Sequence, residues 1–355
     1  MSLSVGIVGL PNAGKSTLFN ALLGRQVARA QNYPFCTIEP NVGVVEVPDE
    51  KLSVLGKIEN SQAIIPAAVE FVDIAGLVKG ASQGEGLGNK FLSHIREVDL
   101  ICYVLRNFTD SNVEKASSVN PQSDLETLKT ELILKDLETI GKVTAKKPKT
   151  GDKEEVFRYQ LAQKIEAILE KELLPVNQDW EDQERKALNS FFLLTAKPYM
   201  IVLNIDEVDL GRLDEVMANF PDWGVVPICA KVEAELAQLS PEEKTEYLAS
   251  LGTSHSGLEL LIKKAYANLG LISFYTAGEK EARAWTIPRG TLAPQAAGVI
   301  HSDFEKNFIK AEVVSFSDFV SFDGWARCRL LGKTRFEGRD YQFIGDEVVE
   351  FKTGR

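Results

Sequence analysis

The sequence has little of what several classes of protein require. It contains three histidines and four cysteines, Cys36, Cys102, Cys229 and Cys328, and no two cysteines form a CxxC pair. A zinc site and a disulfide framework are therefore disfavoured. No apolar run approaches the 18 or so residues of a membrane span, and the first residues lack the basic and apolar stretches of a secretory signal. We therefore expect a protein of the reducing cytoplasm, with free thiols and no membrane association.

Positive charge is also in short supply. The chain has 40 Lys and Arg against 51 Asp and Glu, which gives a formal net charge of −11. This balance argues against DNA binding and against a protein that coats nucleic acid non-specifically. Residues 271–355 contain 12 residues of each sign, so the whole deficit lies in the first 270 residues. A length of 355 residues predicts two or three domains.

Six short apolar runs predict the strands of a mostly parallel sheet with helices on both faces, an α/β fold. Their spacing leaves room for one helical crossover between successive strands, except in one place. The six runs are 3–8, 42–47, 68–74, 100–105, 199–204 and 225–230.

The exception is the segment between the fourth and fifth strands, which is far longer than one crossover. Leucines and isoleucines recur at helical spacing over 125–140 and again over 161–169, which predicts an inserted antiparallel helical hairpin or short coiled coil. Four lysines lie near its turn, and they form either a solvated helix end or a contact surface. They are Lys142, Lys146, Lys147 and Lys149. From residue 271 onward, short runs separated by glycines and charges predict a small mixed α+β domain.

A phosphate-binding loop follows the first strand. The segment 9–16 reads Gly-Leu-Pro-Asn-Ala-Gly-Lys-Ser and fits G-x-x-x-x-G-K-[ST] between a buried strand and a helix. The glycines allow the backbone to wrap phosphate oxygens, and the helix N-terminus supplies partial positive charge. In such a loop Lys15 reaches the β- and γ-phosphates and Ser16 binds Mg²⁺.

A second element supports this assignment. The third predicted strand ends in Asp73-Ile-Ala-Gly76, where an aspartate can hold Mg²⁺ through water and a glycine N–H can meet the γ-phosphate. The segment 76–88 contains five glycines and is typical of a switch that orders with a nucleoside triphosphate. Thr37, between the loop and the second strand, is a candidate second Mg²⁺ ligand.

The base-recognition element departs from that of guanine-specific proteins. After the fifth strand the sequence reads Asn204-Ile205-Asp-Glu207, where those proteins carry N-K-x-D. The aspartate that accepts two hydrogen bonds from guanine is replaced by a longer glutamate, so guanine preference is expected to weaken. Cys229-Ala-Lys lies where a further base-contacting loop is expected.

These motifs together resemble the YchF / Obg-like ATPase family. The resemblance rests on the phosphate loop with Asn12, the segments 32–41 and 73–82, the Asn-Ile-Asp-Glu element and the C-terminal runs 283–287 and 293–306. It extends over essentially the whole chain. It implies an OBG-type P-loop domain over 1–270, a helical coiled-coil insertion at 113–195, and a C-terminal TGS domain of the ubiquitin-like β-grasp type over 271–355.

The resemblance also implies a set of ligands. ATP is hydrolysed in preference to GTP, Ser16 and Thr37 bind Mg²⁺, Ile205 contacts the base through its backbone, and Asn12 is similar to an asparagine that coordinates K⁺ in related proteins. The phosphate-binding residues are Asn12, Ala13, Gly14, Lys15, Ser16 and Thr17.

Leu77 stands where classical small G-proteins have the water-positioning glutamine, so hydrolysis is assisted in another way. Two departures from the family pattern limit what is carried over. The segment 107–115 lacks the histidine usual in the family, so a catalytic role for that histidine is not carried over. The last 35 residues follow the family pattern more loosely, with Trp325 and Cys328 where small or charged residues are usual.

Three functional hypotheses remain open from the sequence. The first is a slow ATPase switch, in which Lys15, Mg²⁺ and K⁺ neutralise charge on the γ-phosphate and Gly76 helps to place the attacking water. The second is a GTPase of the same fold. The third is a nucleotide-sensing module whose output is ribosome association in translation or stress regulation, with hydrolysis incidental. The expected partner in that case is the ribosome, contacted through the TGS domain and the hairpin lysines, with a local contact to ribosomal RNA.

Overall fold

The chain divides into two compact units. The computed structural model describes residues 3–24, 41–74, 89–109, 119–148, 152–221, 223–253 and 255–354. The first unit comprises Met1–Gly43 and Glu70–Leu261, and the second comprises Val44–Val69 and Ile262–Arg355. The second unit is therefore built from two separate stretches of sequence.

The described residues form two six-stranded sheets and the helices that accompany them. The strands are β1 Ser4–Val8, β2 Val42–Glu46, β3 Ala63–Ile65, β4 Ala68–Asp73, β5 Leu100–Asn107, β6 Tyr199–Ile205, β7 Val226–Ile228, β8 Leu271–Ala277, β9 Glu281–Pro288, β10 Phe308–Ser315, β11 Arg335–Glu337 and β12 Glu347–Thr353. The helices are α1 Lys15–Leu23, α2 Glu50–Ile58, α3 Asn89–Glu97, α4 Pro121–Thr144, α5 Lys153–Leu169, α6 Asp182–Leu188, α7 Leu213–Ala218, α8 Ala230–Leu236, α9 Pro241–Ser250, α10 Gly257–Asn268, α11 Ala293–Ile300, α12 Ser302–Lys306, α13 Phe316–Ser321 and α14 Trp325–Leu330.

The first sheet has the order β2-β4-β1-β5-β6-β7. The pairs β1–β4, β1–β5, β5–β6 and β6–β7 are all parallel. All five residues of β1 and the first six of β5 are buried, which explains why these strands are continuous apolar runs and not alternating ones. Parallel pairing brings the carboxyl ends of neighbouring strands to one edge of the sheet.

All six strands predicted from the sequence lie in this sheet. The last one is shorter than expected, because only Val226–Ile228 pairs with β6. Cys229 instead precedes α8, as its N-cap residue. The α/β class predicted from the apolar runs is therefore confirmed.

The long segment between β5 and β6 contains α4, α5 and the shorter α6. Asn120 begins α4 by accepting a hydrogen bond from Ser123 N–H, and Asp152 begins α5 by accepting from Glu154 and Glu155. Apolar residues of both long helices pack into one core, which is completed by side chains from 174–193. These are Ile133, Ile140, Leu161, Ala162, Ile165, Leu169, Leu174, Trp180, Leu188, Phe191 and Leu193.

The second unit contains a mixed sheet of order β11-β10-β12-β8-β9-β3. The pairs β8–β9, β10–β11 and β10–β12 are antiparallel, whereas β12–β8 and β3–β9 are parallel. Its core is aromatic, and the ring of Phe343 stacks on that of Phe274 at 5.3 Å between centroids. The outermost strand, β3, comes from the stretch before residue 70 and was not predicted.

The three cysteines in the described part of the chain, Cys102, Cys229 and Cys328, are free and buried. Burial raises the pKa of the Cys102 thiol to about 12. The expectation of free thiols is confirmed for these three residues, and Cys36 lies outside the described residues. Among the helices that the structure describes, none combines the length and apolar character that a membrane crossing requires.

Candidate functional site

The loop between β1 and α1 has the backbone of a phosphate cradle. Asn12 and Gly14 both lie in the left-handed region, with φ of 62° and 86°. Backbone of this kind turns successive N–H groups toward the inside of the loop. Gly9 is required by space, because a Cβ there would lie 2.4 Å from the carbonyl oxygen of Val104. Gly14 is required both by its φ and by Asn204, whose Nδ2 would lie 2.1 Å from an added Cβ.

The N-terminus of α1 is open to an anion. No side chain caps the helix, and its first turn contains no acidic residue. The first backbone N–H groups of the helix therefore carry partial positive charge without a competing carboxylate. Ser16 and Thr17 lie in this first turn and are exposed. The residues present thus fit a bound phosphate chain, and Ser16 places a hydroxyl where a phosphate-bound cation can use it.

Lys15 lies back over the loop. Its side chain is only 8% exposed, and Nζ donates a hydrogen bond to the carbonyl oxygen of Leu10 at 2.7 Å. Burial lowers the pKa of Lys15, and the negative charge of Asp73 acts in the opposite direction. A buried ammonium is costly without a counter-charge, so this side chain is poised for an anion in the loop.

Asp73 is placed beside the loop by strand register. It ends β4, is buried, and lies opposite Ile7 in the parallel β1–β4 pair. Its backbone N–H donates to the carbonyl oxygen of Asn41 at 2.9 Å. The structure therefore brings Asp73 to the sheet edge from which the phosphate loop begins. Gly76, Thr37 and Leu77, named from the sequence, lie outside the described residues.

Asn204 connects the phosphate loop to the sixth strand and to α8. Its Nδ2 donates to the carbonyl oxygen of Ala13 at 3.0 Å, and its Oδ1 accepts from the N–H of Ala230 at 3.1 Å. The side chain is 5% exposed. The sequence suggested a base contact for Asn204 and did not predict this double role in holding two loops together. An asparagine ending an otherwise apolar strand was the signal available.

The next residues turn in different directions. Ile205 packs its side chain into the core of the first unit. Asp206 accepts hydrogen bonds from the N–H and Oγ1 of Thr109, at 3.0 and 3.1 Å. Glu207 is partly exposed, and its Oε2 lies 3.5 Å from Nζ of Lys231. Lys231 belongs to the Cys229-Ala-Lys segment, for which the sequence predicts a base-contacting loop, but its pairing with Glu207 was not predicted.

The arrangement therefore comprises a loop with the backbone of a phosphate cradle, a buried lysine, a strand-end aspartate and a segment after β6 in which the carboxylate of Glu207 faces Lys231. All of these lie at the carboxyl edge of one parallel sheet, where open α/β sheets bind their ligands. Among the described residues, no group of three or more His, Cys, Asp or Glu side chains is arranged to hold a metal ion. The hydroxyl of Ser16 and the carboxylate of Asp73 are two groups that can serve a cation here.

The chain is similar to known proteins over nearly its whole length. A family model described as 50S ribosome-binding GTPase matches residues 4–140, and the YchF-GTPase_C model, described as a protein of unknown function, matches residues 271–354. The chain is 46% identical to the ribosome-binding ATPase YchF of Bacillus subtilis over 364 residues, which cover 99% of each chain. It is 46% identical to the protein of the same name in Haemophilus influenzae over 362 residues, again 99% of each. The solved structure of the Schizosaccharomyces pombe YchF GTPase matches with a TM-score of 0.90 at 36% identity, covering 99% of this chain and 98% of that one.

Proposed function

The chain belongs to the YchF family, and from this premise we propose that it is a ribosome-binding ATPase that acts as a slow nucleotide-dependent switch in translation or stress regulation. The observation that carries the proposal is the open N-terminus of α1 beneath a glycine-shaped loop with Lys15 buried against it. The reaction is the hydrolysis of ATP to ADP and phosphate.

The residues of the loop have separate roles in this reaction. The backbone N–H groups from Asn12 to Thr17 bind the phosphate oxygens, and the ammonium of Lys15 neutralises charge that develops on the γ-phosphate. The N–H of Gly76 helps to place the attacking water. Because Leu77 has no polar group with which to orient that water, the unassisted turnover is slow.

Two cations complete the proposed site. Ser16, Thr37 and Asp73 would hold Mg²⁺, and the side-chain oxygen of Asn12 would hold K⁺. When bound, these ions supply positive charge at the phosphates, as an arginine finger does in other P-loop proteins. The role of K⁺ is tested by comparing ATP turnover in potassium and sodium salts, and turnover should be faster in potassium.

ATP is the proposed nucleotide because of the residues after β6. Asn204 positions the loop that follows β6. Ile205 offers its backbone to the base while its side chain is held in the core. The carboxylate of Glu207 pairs with the ammonium of Lys231. A carboxylate already facing an ammonium is less available to the two donors of guanine than a free aspartate is. A GTPase of the same fold is the alternative, and the family description and the fission yeast structure both carry that word.

Competition between nucleotides separates the two activities. We expect unlabelled ATP to displace a labelled ATP analogue at lower concentration than GTP does. In Glu207→Asp the shorter carboxylate withdraws from Lys231 and resembles that of N-K-x-D proteins, so the ratio of GTP to ATP dissociation constants should fall about tenfold.

The matched control is Glu215→Asp, the same change at a glutamate on α7. It should leave the ratio unchanged. A wild-type chain that prefers GTP would overturn the ATP assignment and favour the GTPase.

We also propose a domain organisation. By sequence, residues 1–270 form an OBG-type P-loop domain interrupted at 113–195 by the helical insertion, and residues 271–355 form a TGS domain. The stretch Val44–Val69 lies within the first range but belongs to the second compact unit. The packing of α4 on α5 supports the first part of this proposal, since Thr144 near the end of α4 donates to Glu166 of α5 at 3.0 Å. The separate core around Phe274 and Phe343 supports the second part.

The ribosome is the proposed partner, contacted through the TGS domain and the lysines at the hairpin turn, in the cytoplasm. Lys142, Lys146 and Lys147 lie at or just beyond the end of α4, and Lys149 lies outside the described residues. Four positive charges within the eight residues 142–149, here called the tip lysines, offer a local contact to ribosomal RNA in a chain whose net charge is −11.

Co-sedimentation with ribosomes tests this partner. We expect binding that differs between ATP and ADP and that falls as salt rises. Replacing all four tip lysines by alanine should weaken binding about tenfold and make it less dependent on salt, because fewer counterions are released.

A control with the same loss of charge replaces four exposed lysines elsewhere and should bind as the wild type does. These are Lys57, Lys171, Lys186 and Lys263. Binding that is indifferent both to nucleotide and to the tip lysines would refute the switch.

A further inference from the structure

Two neighbouring strands of the second unit, β8 and β12, pair over a short length and then separate. The parallel strands β8 and β12 pair only at Phe274–Glu347 and Tyr275–Val348. Beyond those pairs β12 continues to pair with β10, and β8 with β9. Each strand therefore presents an edge to the gap between them, here called the β8–β12 cleft. Strand edges of this kind are suited to a polypeptide, which brings its own backbone donors and acceptors.

The cleft holds a cavity of about 660 Å³, within the size range of pockets that take a specific ligand. Its apolar walls include Trp285, Ile300, Phe304 and Trp325. Trp325 is fixed in place, since its Nε1 donates to the carbonyl oxygen of Ala277 at 3.1 Å. A rigid aromatic wall around a cavity of this size fits the apolar side chain of a partner, as the central pocket of an interface does.

The basic groups beside the cavity are largely engaged. Arg329 lines it, but its guanidinium pairs with Glu312 at 2.9 Å and with Glu350. Lys352 pairs with the same Glu350 at 2.5 Å. These four residues balance one another, so they offer little net charge to a ligand.

The remaining charges at the cavity are mostly negative. Glu59, Glu279 and Glu281 line it, against one lysine, Lys280. Glu279 and Lys280 lie in the turn between β8 and β9, and Glu281 is the first residue of β9. An acidic rim attracts lysine and arginine and repels the phosphates of RNA.

We propose that the β8–β12 cleft binds a basic protein segment: a polypeptide with one apolar side chain for the cavity and flanking lysine or arginine for the rim. The proposal rests on the ribosome association proposed above and identifies the contact of the second unit as ribosomal protein and not ribosomal RNA. This contact is distinct from that of the tip lysines, which are positively charged and are proposed to contact ribosomal RNA.

Charge reversal at the rim gives a test in which the sign decides. The variant Glu279→Lys with Glu281→Lys adds positive charge where the segment would bring its own. We expect about tenfold weaker co-sedimentation with ribosomes. A contact to RNA predicts the reverse, tighter binding. The control Glu337→Lys with Asp340→Lys changes the net charge equally, at residues that do not line the cavity, and should not weaken binding.

Filling the cleft tests the cavity itself. Gly278 lines the cavity, has no positive φ, and an added Cβ there meets nothing within 4 Å. Gly278→Leu should therefore fold normally, obstruct the cleft and weaken ribosome binding about tenfold. Gly338→Leu is the matched control, since Gly338 has equally open space but does not line the cavity.

Each outcome has one meaning. Weaker binding in both cleft variants, with both controls like the wild type, supports the proposal. Tighter or unchanged binding after charge reversal, or unchanged binding of Gly278→Leu, overturns it while leaving ribosome association in place. Failure of the wild type itself to bind ribosomes overturns both proposals.

Discussion

The variant Lys15→Ala is expected to lose ATP hydrolysis by a factor of about a thousand or more, since the ammonium acts on charge that develops at the γ-phosphate. In the structure this group is buried and held 2.7 Å from the carbonyl oxygen of Leu10, so water or another side chain cannot easily replace it. Phosphate release under saturating ATP is the measurement.

The same variant should not lose stability. Because burial lowers the pKa of Lys15, the folded state disfavours its charged form. At neutral pH this lysine therefore lowers the free energy of unfolding, and this loss of stability disappears as pH rises above its unfolded pKa of about 10.4. Without nucleotide, Lys15→Ala should therefore melt at or above the wild-type temperature.

The control is Lys57→Ala on the exposed face of α2, which should keep full turnover. Hydrolysis by Lys15→Ala at the wild-type rate would show that the phosphate loop does not act in the reaction. If Lys15→Ala lost hydrolysis and its melting temperature also fell, the lysine would have a structural role instead.

The central strands β1, β5 and β6 could be predicted from the sequence because burial on both faces makes each one a nearly continuous apolar run. The strands β2 and β4 could be predicted from their alternation of buried and less buried residues. The strand β3 could not, since its three residues are exposed or half-buried and only pairing with β9, more than 200 residues later, makes it a strand. The inclusion of residues 44–69 in the second unit was hidden for the same reason. Pairings over such distances leave no local pattern.

The site shows the same division. The phosphate loop could be predicted because its glycines, lysine and serine act within eight consecutive residues. The bridge made by Asn204 joins Ala13 and Ala230, and the facing of Glu207 and Lys231 depends on how β6 and α8 lie side by side. Residue types suggested a base-contacting loop in both places, but only the fold shows which atoms meet.

Asp136 has a structural role that the sequence did not predict. It lies on α4 among leucines and isoleucines, where an acidic residue is ordinarily a solvated one. Here it is fully buried. Its carboxylate accepts from Leu194 N–H at 3.0 Å, from Thr195 N–H at 2.7 Å and from Thr195 Oγ1 at 2.6 Å. It thus ties α4 to the chain just before β6.

Asp136→Asn should destabilise this tie by about 3 kcal/mol, because the new amide donates where two groups of Thr195 also donate. The side chains are of equal size, so the loss reports hydrogen bonding and not packing. Since a chain of two units need not unfold in one step, hydrogen exchange at the amides of Leu194 and Thr195 is the direct measurement. Their protection should fall about a hundredfold or more, as that free energy implies.

The dependence on pH separates this account from a general loss of structure. Burial raises the pKa of Asp136, and the three donors act against that rise. A carboxyl whose folded pKa is raised contributes less stability as pH climbs from its unfolded value of about 3.9 through the folded one. This part of the pH dependence should vanish in Asp136→Asn. Glu138→Gln, an exposed change on the same helix whose partner is Lys135, should leave the protection of these amides close to that of the wild type, because solvent screens exposed ion pairs. Equal effects of the two variants would mean that charge on α4, and not the buried tie, governs the stability of this region.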